Sequence, residues 1–472
     1  MFNQVIYNNL QQNRERFYSL AIFPPVLREI LPTAPELLKD ATFFASMAPL
    51  SVYHSRTCFI NPYSDEESGV QLQVYISAEQ GGGKGNLDRI QKRIMEKMRT
   101  FNNSELAKER EYAARRKSAQ NSRTRFSEPA PDTCVFLVPP AISKTKLCFR
   151  ALSIEKKYGE EKGVYFYTFS PELGMAIDAA KSDHTDLRTI NRITYDGGAI
   201  GMDCKHEECF DGEVYVSQSL LYLSTPNVMT EYFNDRAIEN GILSRATIAY
   251  FGQELGAEVP KFGKPTQSEI DNSNKVLDKL FDEIFDPDNS NTLMPKKCLD
   301  IEFLKPEIEY FQATASNEAV EFSPIIQEID YGKGCKAIDT FRRRSCLSAL
   351  RIAAICYNLY LVENAISSPE KQLSDSTIKE NIKTIFKFAA FHILHTTIVL
   401  YGDKAEIILR PDICINKPIF DMLPANFSRS DVKYYIDKYC LVTPIRTFLH
   451  RWKNTNRIIE LENGIFQKVI RN

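Results

Sequence analysis

Residues 76–87 read ISAEQGGGKGNL, and the way this stretch is read decides the fold. The segment before it, VQLQVYISA from Val70, alternates and then ends in a β-branched and aromatic run, as a buried strand does. Gly81, Gly82 and Gly83 end that strand, and NLDRIQKRIMEKMRTF resumes with helical period. Strand, glycine loop, helix is the context a phosphate-binding loop requires, because successive backbone N–H groups and the helix start can surround an anion. Ala78 and the pair Gly83-Lys84 sit at the spacing of a Walker A motif, so Lys84 would reach the β- and γ-phosphate oxygens. Gly85 departs from the motif, which has Ser or Thr there to lend a hydroxyl to Mg²⁺. The expected nucleotide set is Gly81, Gly82, Gly83, Lys84, Gly85, Asn86 and Thr225, with ATP and Mg²⁺ as the bound species. The plainer alternative is a glycine turn that exposes a lysine.

Outward from the loop, three further apolar runs read as strands: CVFLVPPA from Cys134, GVYFYTF from Gly163 and VYVSQSLLYLST from Val214. Their alternation with helical patterns argues for a mostly parallel sheet covered on both faces. Glu172 follows the end of one such run at Ser170-Pro171, where α/β sheets place their sites. It is the candidate base for an attacking water and an indirect carboxylate for Mg²⁺; a solvated Glu opening a helix is the alternative. Ser224 and Thr225 end the next run and can sense a γ-phosphate. Arg245, in ENGILSRATIAYF, is placed either to reach a neighbouring subunit's phosphate as a finger or to make a surface ion pair.

A chain of 472 residues with 43% apolar and 25% charged residues has room for several domains and a large core. Pro24, Pro25, Pro32 and Pro35 punctuate an N-terminal arm over residues 1–35. The expected core spans 36–330, with a basic helical insertion at about 89–126, followed by a helical domain over 331–415. The insertion holds twelve Lys or Arg against four Glu between Arg89 and Arg125; such a helix either tracks a phosphate backbone or is a solvated charged face. Residues 416–472 run helix, helix, hairpin, with Asn463-Gly464 at the turn, the ending of a winged helix-turn-helix. Its second helix would bury Val442, Ile445, Phe448, Leu449 and Trp452 while presenting Arg446, Arg451 and Lys453 to DNA, with Arg457 just beyond.

The formal net charge of −2 excludes a globally basic nucleic-acid binder but not a local basic surface. Eleven scattered cysteines suit reduced thiols, and no signal peptide or long apolar span is legible in the first fifty residues. Together these predict a soluble, cytoplasmic protein not associated with membrane; the DNA reading adds an expected association with the nucleoid. The cluster Cys204, His206 and Cys209 offers three zinc-type ligands but no second close pair.

The whole chain resembles the uncharacterised P-loop ATPases of bacterial mobile elements and phages, a family often joined to primase-like modules and likened to replicative helicases. The matching pieces run in order: LKDATFFASMAPLSVYHS, AEQGGGKGNL, VFLVPPAISKTKL, GVYFYTFSPELGMA, SLLYLSTPNVMTEYF, ENGILSRATIAYF and FRRRSCLSALRIAAI, over roughly residues 35–400. The resemblance implies a RecA-like ATP-binding core with Lys84 on phosphate, Glu172 as the acidic catalytic residue and Arg245 as a finger-like arginine. It also implies partners: DNA, further copies of the chain in a ring or filament, and a primase or other replication or mobilisation protein. Where a Walker B pattern has Asp before the glutamate, this sequence has Ser170-Pro171. The expectation is an NTP-driven, DNA-associated motor or switch. The rival is a DNA-binding adaptor whose nucleotide site binds but does not turn over, or is vestigial, and a small-molecule phosphotransferase is disfavoured by the winged-helix ending and the lack of an obvious acceptor pocket.

Overall fold

The computed structural model describes residues 2–79, 81–140, 142–159, 164–182, 186–202, 212–251, 261–289, 292–321, 335–409, 419–420, 422–438, 445–454, 457–461 and 464–469. The strands are β1 (Thr57–Ile60), β2 (Glu67–Gly69), β3 (Gln73–Ala78), β4 (Val164–Ser170), β5 (Ala199–Met202), β6 (Gly212–Ser224), β7 (Thr247–Phe251), β8 (Lys297–Leu299), β9 (Asn426–Ser428), β10 (Ile458–Glu460) and β11 (Ile465–Lys468). The central sheet has the order β4-β6-β3-β7, and every pair in that row is parallel. Leu137 bridges Tyr167 in the parallel sense and so continues the row beyond β4, while β5 runs antiparallel along the start of β6. The run from Cys134 pairs at this one bridge instead of forming a full strand; Val138 donates to the Tyr167 carbonyl at 3.0 Å, and Pro139-Pro140 after it cannot donate to a ladder. From β3 the chain crosses to the Leu137 edge, returns through β4 and β6, then passes β3 to reach β7. The strand order therefore reverses beside β3, and the crevice at the carboxyl ends there is where open α/β sheets place ligands.

The helices are α1 (Phe2–Leu20), α2 (Pro25–Ile30), α3 (Lys39–Tyr53), α4 (Gly85–Ile94), α5 (Glu96–Asn121), α6 (Lys144–Tyr158), α7 (Leu173–Ser182), α8 (Leu187–Tyr195), α9 (Pro226–Tyr232), α10 (Asp235–Glu239), α11 (Gln267–Asp282), α12 (Lys305–Glu321), α13 (Lys336–Ile366), α14 (Asp375–Leu409), α15 (Arg429–Lys438) and α16 (Ile445–Asn454). α3 is apolar all round and buried from Ala41 to Tyr53, so it serves as the central helix against β3, β6 and β7. One continuous hydrophobic core runs from Ile6 to Ala405. α13 and α14 therefore share the core of the sheet and do not build their own. Tyr195 OH lies 2.8 Å from Ser348 Oγ, and Arg351 Nη1 donates to the Gln71 and Tyr195 carbonyls at 2.8 and 3.2 Å. The N-terminal arm is mostly α1, docked on α14 by Phe17, whose ring stacks on Phe388 at 3.9 Å.

α13 and the stretch Pro369–Glu406 are long and apolar enough to cross a membrane, but 89% and 83% of their apolar windows are buried inside the protein. Their composition is thus spent on the fold's own core. The VQLQV alternation has a related explanation. Gln71 and Gln73 are buried, and both side-chain amides donate to α8 carbonyls, at Tyr195 and Asn191 respectively. Polar residues here face a helix and not solvent. A second core, centred on Phe427, Val432, Phe448, Leu449, Trp452 and Phe466, holds α15 and α16 against a small antiparallel sheet of order β10-β11-β9.

Candidate functional site

The loop after β3 takes its shape from glycine. Gly81 and Gly83 have φ of 79° and 89°, a region that side chains disfavour. Gly82 is crowded instead: a Cβ there would sit 3.2 Å from both the Glu79 carbonyl oxygen and the Phe251 ring. Its amide donates to the Glu79 carbonyl at 3.2 Å, which closes the turn. α4 then starts at Gly85, with Asn86 in its first turn and the buried Leu87 and Ile90 fastening it to the core. A Cβ at Gly85 would meet nothing within 4 Å.

Because the strands are parallel, the ends of β3, β4 and β6 bring the loop, Glu172 and Thr225 to one edge. Lys84 Nζ donates to the Ser224 carbonyl at 3.3 Å. Burial pulls the Lys84 ammonium below its ordinary pKa, against the attraction of Glu172 and then of Glu79. Ser170 Oγ donates to the Glu172 carbonyl at 2.7 Å and fixes the backbone after β4, while the Glu172 carboxylate is left exposed. Thr225 is half-buried and precedes α9, with Pro226 at the first helical position. The result is one desolvated cation on a glycine turn, a facing carboxylate and hydroxyl-bearing strand ends. Such an arrangement can hold an oxyanion against Lys84 with a water beside Glu172. It fits a phosphate group; for a divalent cation it supplies carboxylates but no hydroxyl at residue 85.

Arg245 is placed elsewhere. It precedes β7, whose Thr247 pairs with Val74 and whose Phe251 pairs with Ala78, so it lies at the amino edge of the sheet. That is roughly 20 Å along the strand from the loop. There Arg245 donates to Asp196 Oδ2 through Nε and Nη2 at 3.0 and 2.7 Å, and to the Gly241 carbonyl at 2.9 Å. Arg344 holds the other oxygen, Oδ1, at 2.8 Å. The ion-pair reading of Arg245 describes this structure, and a role in trans would require it to leave Asp196. Sequence reasoning missed Asp196, which stands 49 and 148 residues from its two arginines, and no spacing signal could have found it.

In the C-terminal unit Phe448, Leu449 and Trp452 are buried and Ile445 is half-buried, as their spacing predicts; Val442 lies outside the described residues. Arg446 is exposed, Arg457 is half-buried, and the side chain of Arg451 lies outside the described residues. Lys453 is not a free cation: it pairs with Glu460 of β10 and sits 5.4 Å from the Phe466 ring centroid. Cys204, His206 and Cys209 fall outside the described residues, and among the described residues no His, Cys, Asp and Glu cluster is arranged to hold a metal ion.

Compared with known proteins, the chain matches no protein family and no curated protein.

Proposed function

We propose that the protein is a DNA-associated, ATP-binding and hydrolysing motor or switch of helicase-like type, built on a RecA-like core and serving replication or mobilisation of a genetic element. The observation that carries this reading is Lys84, presented by the glycine turn between the Ser224 carbonyl and Glu172 at the strand-order reversal. In this reading the loop from Gly81 to Asn86 surrounds the phosphates, and Lys84 exchanges its bond to Ser224 for the β- and γ-phosphate oxygens. Glu172 orients the attacking water and accepts its proton, and Thr225 lies against the γ-phosphate. Magnesium, when bound, would neutralise charge on the β- and γ-oxygens, with Glu172 holding it through water. The C-terminal unit is read as a winged helix with Arg446, Arg451, Lys453 and Arg457 toward DNA. Self-assembly into rings or filaments, a primase-type partner and a cytoplasmic, nucleoid-associated location complete the proposal.

Gly85 and the Ser170-Pro171 pair favour a second reading, an adaptor that binds nucleotide and DNA without turnover. DNA-stimulated ATP hydrolysis separates the two. The motor reading expects phosphate release that rises on adding DNA, and an ATP affinity about 10- to 100-fold weaker in Lys84→Ala. Intact ATP and DNA binding without hydrolysis would select the adaptor. Unchanged ATP affinity in Lys84→Ala would remove both.

A further inference from the structure

The basic insertion divides into two parts. Up to Glu109, α5 lies on the body of the protein: Met98, Asn102 and Glu105 are buried, and Asn102 Oδ1 accepts the Phe136 and Leu137 amides at 3.1 and 3.0 Å. Glu105 accepts the Cys134 amide at 2.6 Å, and Glu109 pairs with Arg150. Of the six cations in this part, four pair internally: Lys92 with Asp88, Arg93 with Glu29, Lys97 with Asp278 and Lys108 with Glu105. Arg99 donates to Gln91 Oε1 at 3.1 Å, and Arg89 lies 5.9 Å from the Phe262 ring centroid.

Beyond Glu109 the helix leaves the body. Residues 110–125 are almost all exposed, and Arg123 turns the chain back with φ of 53°. The return segment is tied to the helix by the Tyr112 and Phe126 rings, 5.4 Å apart, and by Arg115 on Glu128 at 3.0 Å. This projecting finger carries six Lys or Arg against the single Glu111. Arg110, Arg116, Lys117, Arg123 and Arg125 are exposed, and among the described residues none has a carboxylate partner. Arg110 and Lys117, seven apart, share a helix face, and Arg123 and Arg125 lie at the turn and the start of the return. Apart from these ties no buried core holds the projection, and its like charges repel one another, so it is suited to meet a polyanion.

We infer that the finger of residues 110–125 is the principal contact for the phosphate backbone of a nucleic acid, an assignment that rests on the nucleic-acid part of the proposed function. Membrane is the poorer fit. A surface-lying basic helix needs an apolar face to insert, and among the described residues no large hydrophobic side chain is exposed between Tyr63 and Phe149. The helical path also matters: α4 begins immediately after Lys84, and α5 continues from it into the finger. A polyanion at the tip thus pulls on the helix that leaves the phosphate loop, and any coupling between the two ligands is reciprocal.

The test uses the full chain with Arg116, Lys117, Arg123 and Arg125 all changed to Gln, titrated by anisotropy with labelled single-stranded and duplex oligonucleotides at several salt concentrations. The slope of log affinity against log salt is expected to flatten by about three units with at least one of the two nucleic acids. The melting temperature should not move, because the finger buries no core. ATP binding, titrated separately, should persist. If ATP binding is absent from the unaltered protein, the nucleotide reading fails while the finger stands. If Arg446→Gln with Lys453→Gln flattens the slope and the finger variant does not, the DNA reading stands and the finger assignment is overturned. Capture of anionic vesicles in place of either oligonucleotide overturns it too.

Discussion

The two edges of the central sheet carry the same chemical types, but in opposite conditions. At the carboxyl edge, Lys84 meets no carboxylate at ion-pair distance among the described residues; it donates to the Ser224 carbonyl while Glu172 and Glu79 act on it through space. At the amino edge, Arg245 and Arg344 both close on Asp196 at 2.7–2.8 Å. A cation that is desolvated and held by a single neutral acceptor can exchange that contact for an incoming anion at small cost. One that chelates a carboxylate must first break a charge-assisted pair. The difference assigns availability to one edge and architecture to the other, although the sequence offers both as arginine or lysine beside an apolar run.

The comparison breaks most visibly at Glu172. If the carboxyl edge performs the chemistry, Glu172→Gln should keep ATP affinity and lower hydrolysis by about 10²- to 10⁴-fold, since it removes only the charge and basicity that act on water. Single-turnover measurement at saturating ATP reads this directly. Equal turnover in Glu172→Gln and unaltered protein would return Glu172 to a solvated helix opening. Loss of ATP binding together with loss of folding would make it structural.

How legible these edges were follows from the kind of interaction each uses. The carboxyl edge is built from consecutive residues: an apolar run, three glycines, a lysine and a helix start all lie within residues 70–94, so local rules expose it. The place of Glu172 just past β4 was legible because the strand ends where its apolar pattern ends. The amino edge is made by contacts between distant segments, with Asp196 after α8, Arg245 before β7 and Arg344 in α13. Nothing in the spacing reports such a meeting. The partners of Gln71 and Gln73 were hidden for a similar reason: the run reads as a buried strand, but the α8 carbonyls that accept from its two amides stand 124 and 118 residues away in the chain. The split within the basic insertion was equally hidden, because the partners of Arg93 and Lys97 are Glu29 and Asp278, far away in the chain.

A smaller effect sharpens the other side. Asp196→Asn leaves two guanidinium groups without their counter-charge, and the partial exposure of all three residues screens the loss. A destabilisation of about 1 to 2 kcal/mol is expected by denaturant titration. Arg245→Ala should cost a similar amount, and the double variant should cost less than the sum, since both changes remove one interaction. ATP turnover should survive each change. If Arg245→Ala abolishes turnover in assembled protein while Asp196→Asn does not, Arg245 acts in trans and the amino edge is not purely architectural.

The smallest effect concerns Gly85, where the carboxyl edge departs from the usual loop. Gly85 stands at the first position of α4, its φ is not in the left-handed region, and a Cβ there meets only open space. Neither backbone nor packing therefore demands glycine, in contrast to Gly81 and Gly83. Gly85→Ser should leave stability within about 1 kcal/mol, on the stabilising side, because the new residue restricts the unfolded chain without strain. Its hydroxyl would also supply the oxygen that phosphate loops normally lend to magnesium. ATP affinity should then become more dependent on magnesium, saturating at a lower metal concentration than in the unaltered protein. Titration of ATP affinity against magnesium in the two proteins measures this. If the two curves coincide, residue 85 does not face the metal, and the loop holds its phosphate in a different orientation from the one proposed.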